Sequence, residues 1–431
     1  MSDSAAAGLP AKRAAGMGFI MVTVLIDMIA IGLIIPVLPP LVGTFTGSQA
    51  DHAFWYGVVA FAFGFANFLG SPILGALSDR YGRRPVLLIG FCGLALSFFV
   101  TAMATALWML IAVRLVSGAM QSNAAVANAY VADISAPEER AKRFGMLGAA
   151  FGLGFILGPV MGGLLGAINL HLPFVVAGCL ALTNWLYGFF VLPESLKPES
   201  RRPFSWRQAN PVASLKKLAS LKGVGPLVYV IGLSALAQFI LHSSWVLYTS
   251  FKFGWGPKEN GWSMFAVGVM SVLVQGFLLT KLLKVFSSER LAMLGLISSV
   301  LAFAGWGAAS EGWMMYAVIA CNLLGFAASA AIQGMISNAA DAKTQGQTMG
   351  AVASLNSLMA VFAPVIGAGL LGLVSELPKG DWRIGAPFYF CALLQACALF
   401  FAWRHFHRVH VSGPAAAANA AAAPSASVTK P

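Results

Sequence analysis

Twelve long apolar segments, separated by short polar breaks, constrain this chain more than any other feature. They run approximately over 18–43, 54–77, 86–106, 108–132, 145–168, 172–192, 224–250, 261–280, 291–310, 312–337, 346–374 and 384–403. A bilayer core about 30 Å thick takes roughly 20 apolar residues of helix. Lipid offers backbone N–H and C=O groups no partner, so segments of this length cross it as helices that satisfy themselves. The expected fold class is therefore an all-α integral membrane protein with twelve spans. Composition agrees: only 10% of the 431 residues are charged and 58% are hydrophobic. The first segment is too long and too rich in proline for a cleaved signal, so it is read as a retained span.

The net charge of +12 raises nucleic acid as a partner, but the placement of the cations gives a simpler reason. Lys252, Lys258, Lys379 and Arg383 fall in the odd-numbered connections, and Arg114 falls inside a span. All other Lys and Arg lie at the N-terminus, in the even-numbered connections or in the tail. The positive-inside rule then puts both termini and the long 193–223 loop in the cytoplasm, which requires an even number of spans. No nucleic-acid partner is expected. The five cysteines lie in apolar runs without metal-like spacing and read as small buried hydrophobes.

The 193–223 segment is the one long polar break before the tail. It divides the chain into a six-helix half over 1–192 and another over 224–404, followed by an Ala/Pro-rich tail over 405–431 expected to be disordered. The halves echo each other at an offset of 205 residues, at Gly145/Gly350, Pro159/Pro364, Val160/Val365 and Gly162/Gly367. Coincidence among Gly-rich helices is one reading. Two parallel halves about an axis along the membrane normal is the other.

Several residues stand out against the apolar background. Asp27 is the acid set well inside a span, and desolvation pushes a carboxyl toward the neutral form, poised to take and release a proton. It either does this or braces its helix by a hydrogen bond. Arg114 opens the fourth span with Gln121, Ala125 and Asn128 continuing down one face; it is a functional residue or a snorkelling anchor. Gly154, Gly158, Pro159, Gly162 and Gly163 place small residues at i, i+4 and i+8 of the fifth span, which lets helices approach closely while the proline bends the rod. Asn67, Gln121, His242 and Gln275 are candidates to line a polar cavity, against the alternative of interhelical hydrogen bonding.

The loop Gly75-Ala76-Leu77-Ser78-Asp79-Arg80-Tyr81-Gly82-Arg83-Arg84-Pro85 turns tightly on its glycines and is held by three arginines. It resembles the signature loop of the major facilitator superfamily, which implies the major facilitator fold and a gating role for Gly75, Asp79, Arg80, Gly82, Arg83 and Arg84. The fifth-span glycines resemble that family's antiporter motif, which implies export. Asp27…Gly32-Leu33-Ile34-Ile35-Pro36-Val37-Leu38-Pro39, together with Ser78–Leu88, Ala106–Leu110, Phe151–Gly154 and Ser310–Trp313, resembles the twelve-span drug–proton antiporters of the tetracycline-efflux type. The likeness runs from about residue 19 to residue 400. It implies a monomer in the bacterial inner membrane, partnered by lipid, protons and a small molecule. No cofactor beyond the proton gradient is implied, and Asp27 and Arg114 would serve in proton coupling.

The departures from that pattern bear on substrate. Where tetracycline exporters carry an acid in the third span this chain has Ser97, where many carry a histidine in the eighth it has Ser271, and where they carry an aspartate in the ninth it has Ser299. Asn67 replaces a glutamine. One carboxylate among many amides favours a neutral or weakly charged amphipathic compound over a cationic tetracycline chelate. An endogenous metabolite or siderophore-like compound is an alternative cargo, and a non-transporting membrane sensor an alternative class. An enzyme is not expected, since no H-E-x-x-H, G-x-S-x-G or nucleotide loop occurs.

Overall fold

A computed structural model describes residues 9–121, 123–135, 139–204, 225–339 and 345–421, and all regular structure among them is helical. Among the described residues, eleven helices are long and apolar enough to cross a membrane, and the shorter Gly312–Cys321 supplies a further crossing by continuing as Leu323–Ala339. The first half comprises Leu9–Ile34 with the short Leu38–Gly43, Gln49–Tyr81, Arg83–Ala102, the pair Leu107–Met120 and Asn123–Ile134, Arg140–Ile168, and Leu172–Val191. The second comprises Gly225–Phe253, Pro257–Val285, Ser288–Ala308, the pair just named, Gln345–Val374, and Ala386–Ala421. These are called the first to twelfth spans below. Most of the 193–223 loop and the last ten residues lie outside the described residues.

Local chemistry sets the boundaries. Pro36 has no N–H to give, and the first span turns at 35–37 before restarting on Pro39 and Pro40. Ser48 caps the second span by accepting from the Asp51 amide at 3.0 Å. Gly82 ends the same span at φ +109°, a conformation open to glycine and costly for other residues. The twelfth span runs on to Ala421 rather than stopping at residue 404. Cys92, Cys179 and Cys321 are exposed on helix surfaces instead of buried in protein, since an apolar run tells lipid from core only poorly.

The internal repeat is real architecture. The fifth and eleventh spans each carry an internal proline, Pro159 and Pro364. Each packs against the first helix of its own half and against the second helix of the other: fifth on first and eighth, eleventh on seventh and second. Gly162 abuts the Leu33 backbone of the first span, and Gly367 abuts Ser244 of the seventh. The fourth and tenth spans are both interrupted mid-course, at Gln121 (φ −87°, ψ 73°) and at Asn322 (φ −81°, ψ 35°).

The halves meet at one end only, among the described residues. A Cβ on Gly163 would lie 2.6 Å from the Pro257 carbonyl oxygen and 3.0 Å from the Gly261 Cα, across the fifth–eighth seam. Gly57 abuts Ala368, and Gly64 abuts Ala360 and Val361, across the second–eleventh seam. Towards the end that bears the 80–84 and 193–204 segments, a Cβ added at Gly145, Gly148 or Gly152 of the fifth span or at Gly276 of the eighth would meet none of the described residues of another helix within 4 Å.

Candidate functional site

Between the halves lies a cavity of about 740 Å³, within the size range of drug-sized ligand sites. Its wall is mostly apolar and aromatic, with Phe63, Phe98, Phe155, Phe239, Trp245 and Trp306 prominent. Trp245 and Trp306 meet edge-to-face at 5.5 Å, and the Trp245 indole donates to Ser263 Oγ at 2.9 Å. All four residues proposed for a polar cavity, Asn67, Gln121, His242 and Gln275, line it, as does Arg114. Tyr56, Ser97, Ser117, Gln238, Ser271, Asn322 and Ser357 add further polar groups.

The broken helices supply much of this polarity. A helix interruption frees backbone groups, and inside a membrane these are tolerated where they line a cavity. The Asn67 amide donates to the freed Gln121 carbonyl at 2.7 Å, and Ser298 Oγ donates to Asn322 Oδ1 at 2.9 Å. In the eighth span Leu273–Leu278 winds as a π-helix, a feature frequent at functional sites, and it carries Gln275, whose amide donates to Ser271 Oγ at 2.6 Å.

Arg114 is 6% exposed, and its Nε and Nη2 have no hydrogen-bond partner among the described residues. Its guanidinium carbon stands 5.9 Å from the Phe63 ring centroid. Asp27 is 3% exposed but does not share the cavity wall. It borders a separate void of about 10 Å³, with Thr23, Met28, Leu87, Phe91, Ala127 and Phe151 among its neighbours. The first-span residues that reach the cavity are Ile31, Ile34, Ile35 and Leu38, one turn and more beyond it. The serines at the departure positions divide: Ser97 and Ser271 line the cavity, while Ser299 is buried away from it and donates to the Gly295 carbonyl at 2.9 Å.

The arginine-rich loop forms a charge network remote from the cavity. Arg83 is the hub, with Nη1 at 2.6 Å from Asp79 Oδ1, Nη1 donating to Ser78 Oγ at 2.7 Å, and Nε 3.1 Å from Asp133 Oδ2. Ser78 Oγ donates to the Gly75 carbonyl at 2.8 Å, and Arg80 lies over the Tyr81 ring at 5.0 Å. Glu194, which sequence reasoning passed over, accepts from the backbone amides of Arg83 at 2.8 Å, Arg84 at 3.2 Å and Leu196 at 3.0 Å. It caps the third span and sits where a Cβ on Gly82 would go, so glycine is required there on two counts. Second, third, fourth and sixth spans are thereby joined in one cluster.

The fifth-span glycines face two ways. Gly154 abuts Met28, Gly158 abuts Gly32 and Gly162 abuts Leu33, all on the first span, whereas Gly163 faces the eighth span of the other half. Pro159 lies against Gly32 on one side and against Gly261 through its carbonyl on the other.

The family model described as Major Facilitator Superfamily matches residues 20–364 and 227–430. The chain belongs to the major facilitator superfamily. It is 36% identical over 374 residues to "Tetracycline resistance protein, class C" of Escherichia coli, covering 86% of this chain and 93% of that protein. It is likewise 36% identical over 380 residues to "Tetracycline resistance protein, class D" of Salmonella ordonez, covering 88% and 95%. Among solved structures, a D-xylose-proton symporter superposes with a TM-score of 0.72 at 16% identity, covering 91% of this chain and 97% of that one, which bears on the fold. The expected fold class and family resemblance therefore stand. The chain is a multi-pass membrane protein of a transporter family.

Proposed function

We propose that this major facilitator protein is a proton-coupled antiporter that exports a small amphipathic compound from the cytoplasm across the bacterial inner membrane, acting as a monomer with both termini inside. The observation that carries this reading is a drug-sized cavity between two pseudo-equivalent halves, sealed at one end and parted at the end bearing the basic loops. That is one of the two states alternating access requires. The other would arise by rocking the halves about the glycine seams.

Asp27 serves as the proton carrier. Since it borders its own void and not the cavity wall, proton and substrate do not compete for one carboxylate. Coupling instead runs along the first span, whose Ile31, Ile34 and Ile35 touch the cavity and whose Gly32 and Leu33 pack on the fifth. One proton moving through ~100 mV releases about 2.3 kcal/mol, and one pH unit adds about 1.4. At 1:1 exchange this sustains roughly a 500-fold gradient of a neutral compound. Arg83 with Asp79, Asp133 and Glu194 acts as a latch that favours one state of the two.

Tetracycline, named in the relatives, is the first compound to try. Expression in a pump-deficient bacterial host, with a drug-susceptibility panel, tests the reading. Export raises tolerance to at least one amphipathic compound and lowers its cell content; unchanged content of every compound would favour the sensor alternative.

A further inference from the structure

The charge of the cavity wall has a direct bearing on what the cavity binds. Among the described residues, no Asp, Glu or Lys lines it, and the permanently charged residue on its wall is Arg114. The described acids with resolved partners or surroundings sit elsewhere. Asp27 is in its own void; Asp79, Asp133 and Glu194 are committed to the Arg83 cluster; Glu259 caps the eighth span by accepting from the Gly256 amide; and Asp381 pairs with Arg383. His242, also on the wall, can add positive charge but not negative.

Arg114 differs from the other buried cations. Arg83 has two carboxylates, and Lys252 gives its ammonium to the Gly307 carbonyl at 2.9 Å and faces the Tyr248 ring at 5.4 Å. Arg114 keeps two buried guanidinium nitrogens without an acceptor among the described residues. A buried guanidinium left in that condition is costly, and the partner its planar donor fork fits is a carboxylate, phosphonate or sulfonate. The rings of Phe63, Phe98, Phe155 and Phe239 offer a surface for an apolar or aromatic body beside it.

We propose that the cavity recognises an amphipathic organic anion, with Arg114 pairing with its acidic group and the aromatic wall holding the remainder. This names a substrate class for the transport site described above and rests on that reading. It replaces the neutral or weakly charged compound expected from sequence, and it makes a cationic metal chelate a poor ligand, since the chelate would meet a like charge with no carboxylate to offset it.

The test uses the purified full chain and three matched probes: anthracene-9-carboxylate, its methyl ester, and 9-(aminomethyl)anthracene. Energy transfer from Trp245 and Trp306, both on the wall, reports occupancy. The carboxylate should bind about tenfold or more tighter than the ester, the ratio a charge-assisted contact supplies, and the amine should bind weakest. Arg114→Gln should bring carboxylate and ester to within about twofold while ester binding persists. Arg114→Lys should keep a reduced carboxylate preference, and it serves should the glutamine variant not fold. A native protein that binds ester or amine as tightly as carboxylate, or a preference that survives Arg114→Gln, overturns the proposal. Proteoliposomes under a pH gradient separate the two levels. Arg114-dependent binding of a carboxylate that is never moved supports the anion site and removes the transport reading; equal movement of all three probes keeps transport and overturns the anion site.

Discussion

The seam between Gly163 and Gly261 allows a quantitative test of the rocking geometry. A Cβ on Gly163 would stand 2.6 Å from the Pro257 carbonyl oxygen, and one on Gly261 would stand 2.6 Å from the Pro159 carbonyl oxygen. Both obstacles are backbone, so neither can swing aside. Restoring ordinary contact near 3.4 Å requires the fifth and eighth spans to part by about 0.8 Å, and overpacking of this sort costs roughly 1–3 kcal/mol. The gain in helix propensity from Gly to Ala applies to both states and cancels from their equilibrium. Gly163→Ala should therefore shift the population away from the state described here by about 5- to 150-fold. The assay is a spin-label distance between Gly145→Cys and Lys284→Cys, on opposite halves at the parted end, in a background lacking the five native cysteines. A shorter distance is expected as that end closes. An unchanged distance distribution in a folded Gly163→Ala protein would refute the idea that this seam is specific to one state.

Three further outcomes are expected. Asp79→Ala and Arg83→Ala should each slow transport by about tenfold, equivalent to about 1.4 kcal/mol, while leaving equilibrium binding of the carboxylate probe intact; lost binding would place the network in the cavity's service. Glu194→Gln keeps the cap's shape but removes its charge, so it should lower thermal stability in detergent by about 0.5–1 kcal/mol, and an unchanged melting temperature would deny it a capping role. Ser97→Asp puts a carboxylate on the cavity wall that holds Arg114, so it should weaken the carboxylate probe and raise tetracycline tolerance in a sensitive host. Strong tetracycline resistance from the unaltered chain would show that missing acids do not exclude the chelate.

Much of the fold was legible because lipid imposes a single length rule, and twelve apolar runs meet it. The fourth and tenth spans were legible as runs but not as broken helices. Gln121 and Asn322 are neither Pro nor Gly, so no helix breaker marks the site; in the fold Asn67 holds the Gln121 carbonyl and Ser298 holds the Asn322 side chain. Polar residues in the middle of apolar runs, in matching places of two halves, were the available signal. Asn67, Gln121, His242 and Gln275, singled out as polar groups in apolar runs, all line one cavity, and Arg114, read from sequence as a coupling residue or an anchor, lines it too. Asp27 lies off that wall, and sequence could not show this, because it gives depth in the span but not which neighbours surround it. On the fifth span Phe151 borders the Asp27 void while Phe155, one turn on, lines the cavity. Glu194 escaped notice because an acid just after a span reads as ordinary loop charge; its role depends on Gly82 being brought beneath it.

Proton coupling at Asp27 is the claim on which the proposed function turns, and everted membrane vesicles test it most directly. Vesicles carrying the full chain are given an acidic interior, and uptake of anthracene-9-carboxylate and of tetracycline is followed against protein-free controls. An acidic interior by itself drives a weak acid out, so accumulation of the carboxylate requires coupled exchange. The native chain should accumulate at least one of the two uphill and lose it on addition of an uncoupler. The folded Asp27→Asn variant should show no uphill accumulation, yet still exchange labelled for unlabelled compound. Uphill, uncoupler-sensitive accumulation by Asp27→Asn would contradict the assignment and move the proton to another group.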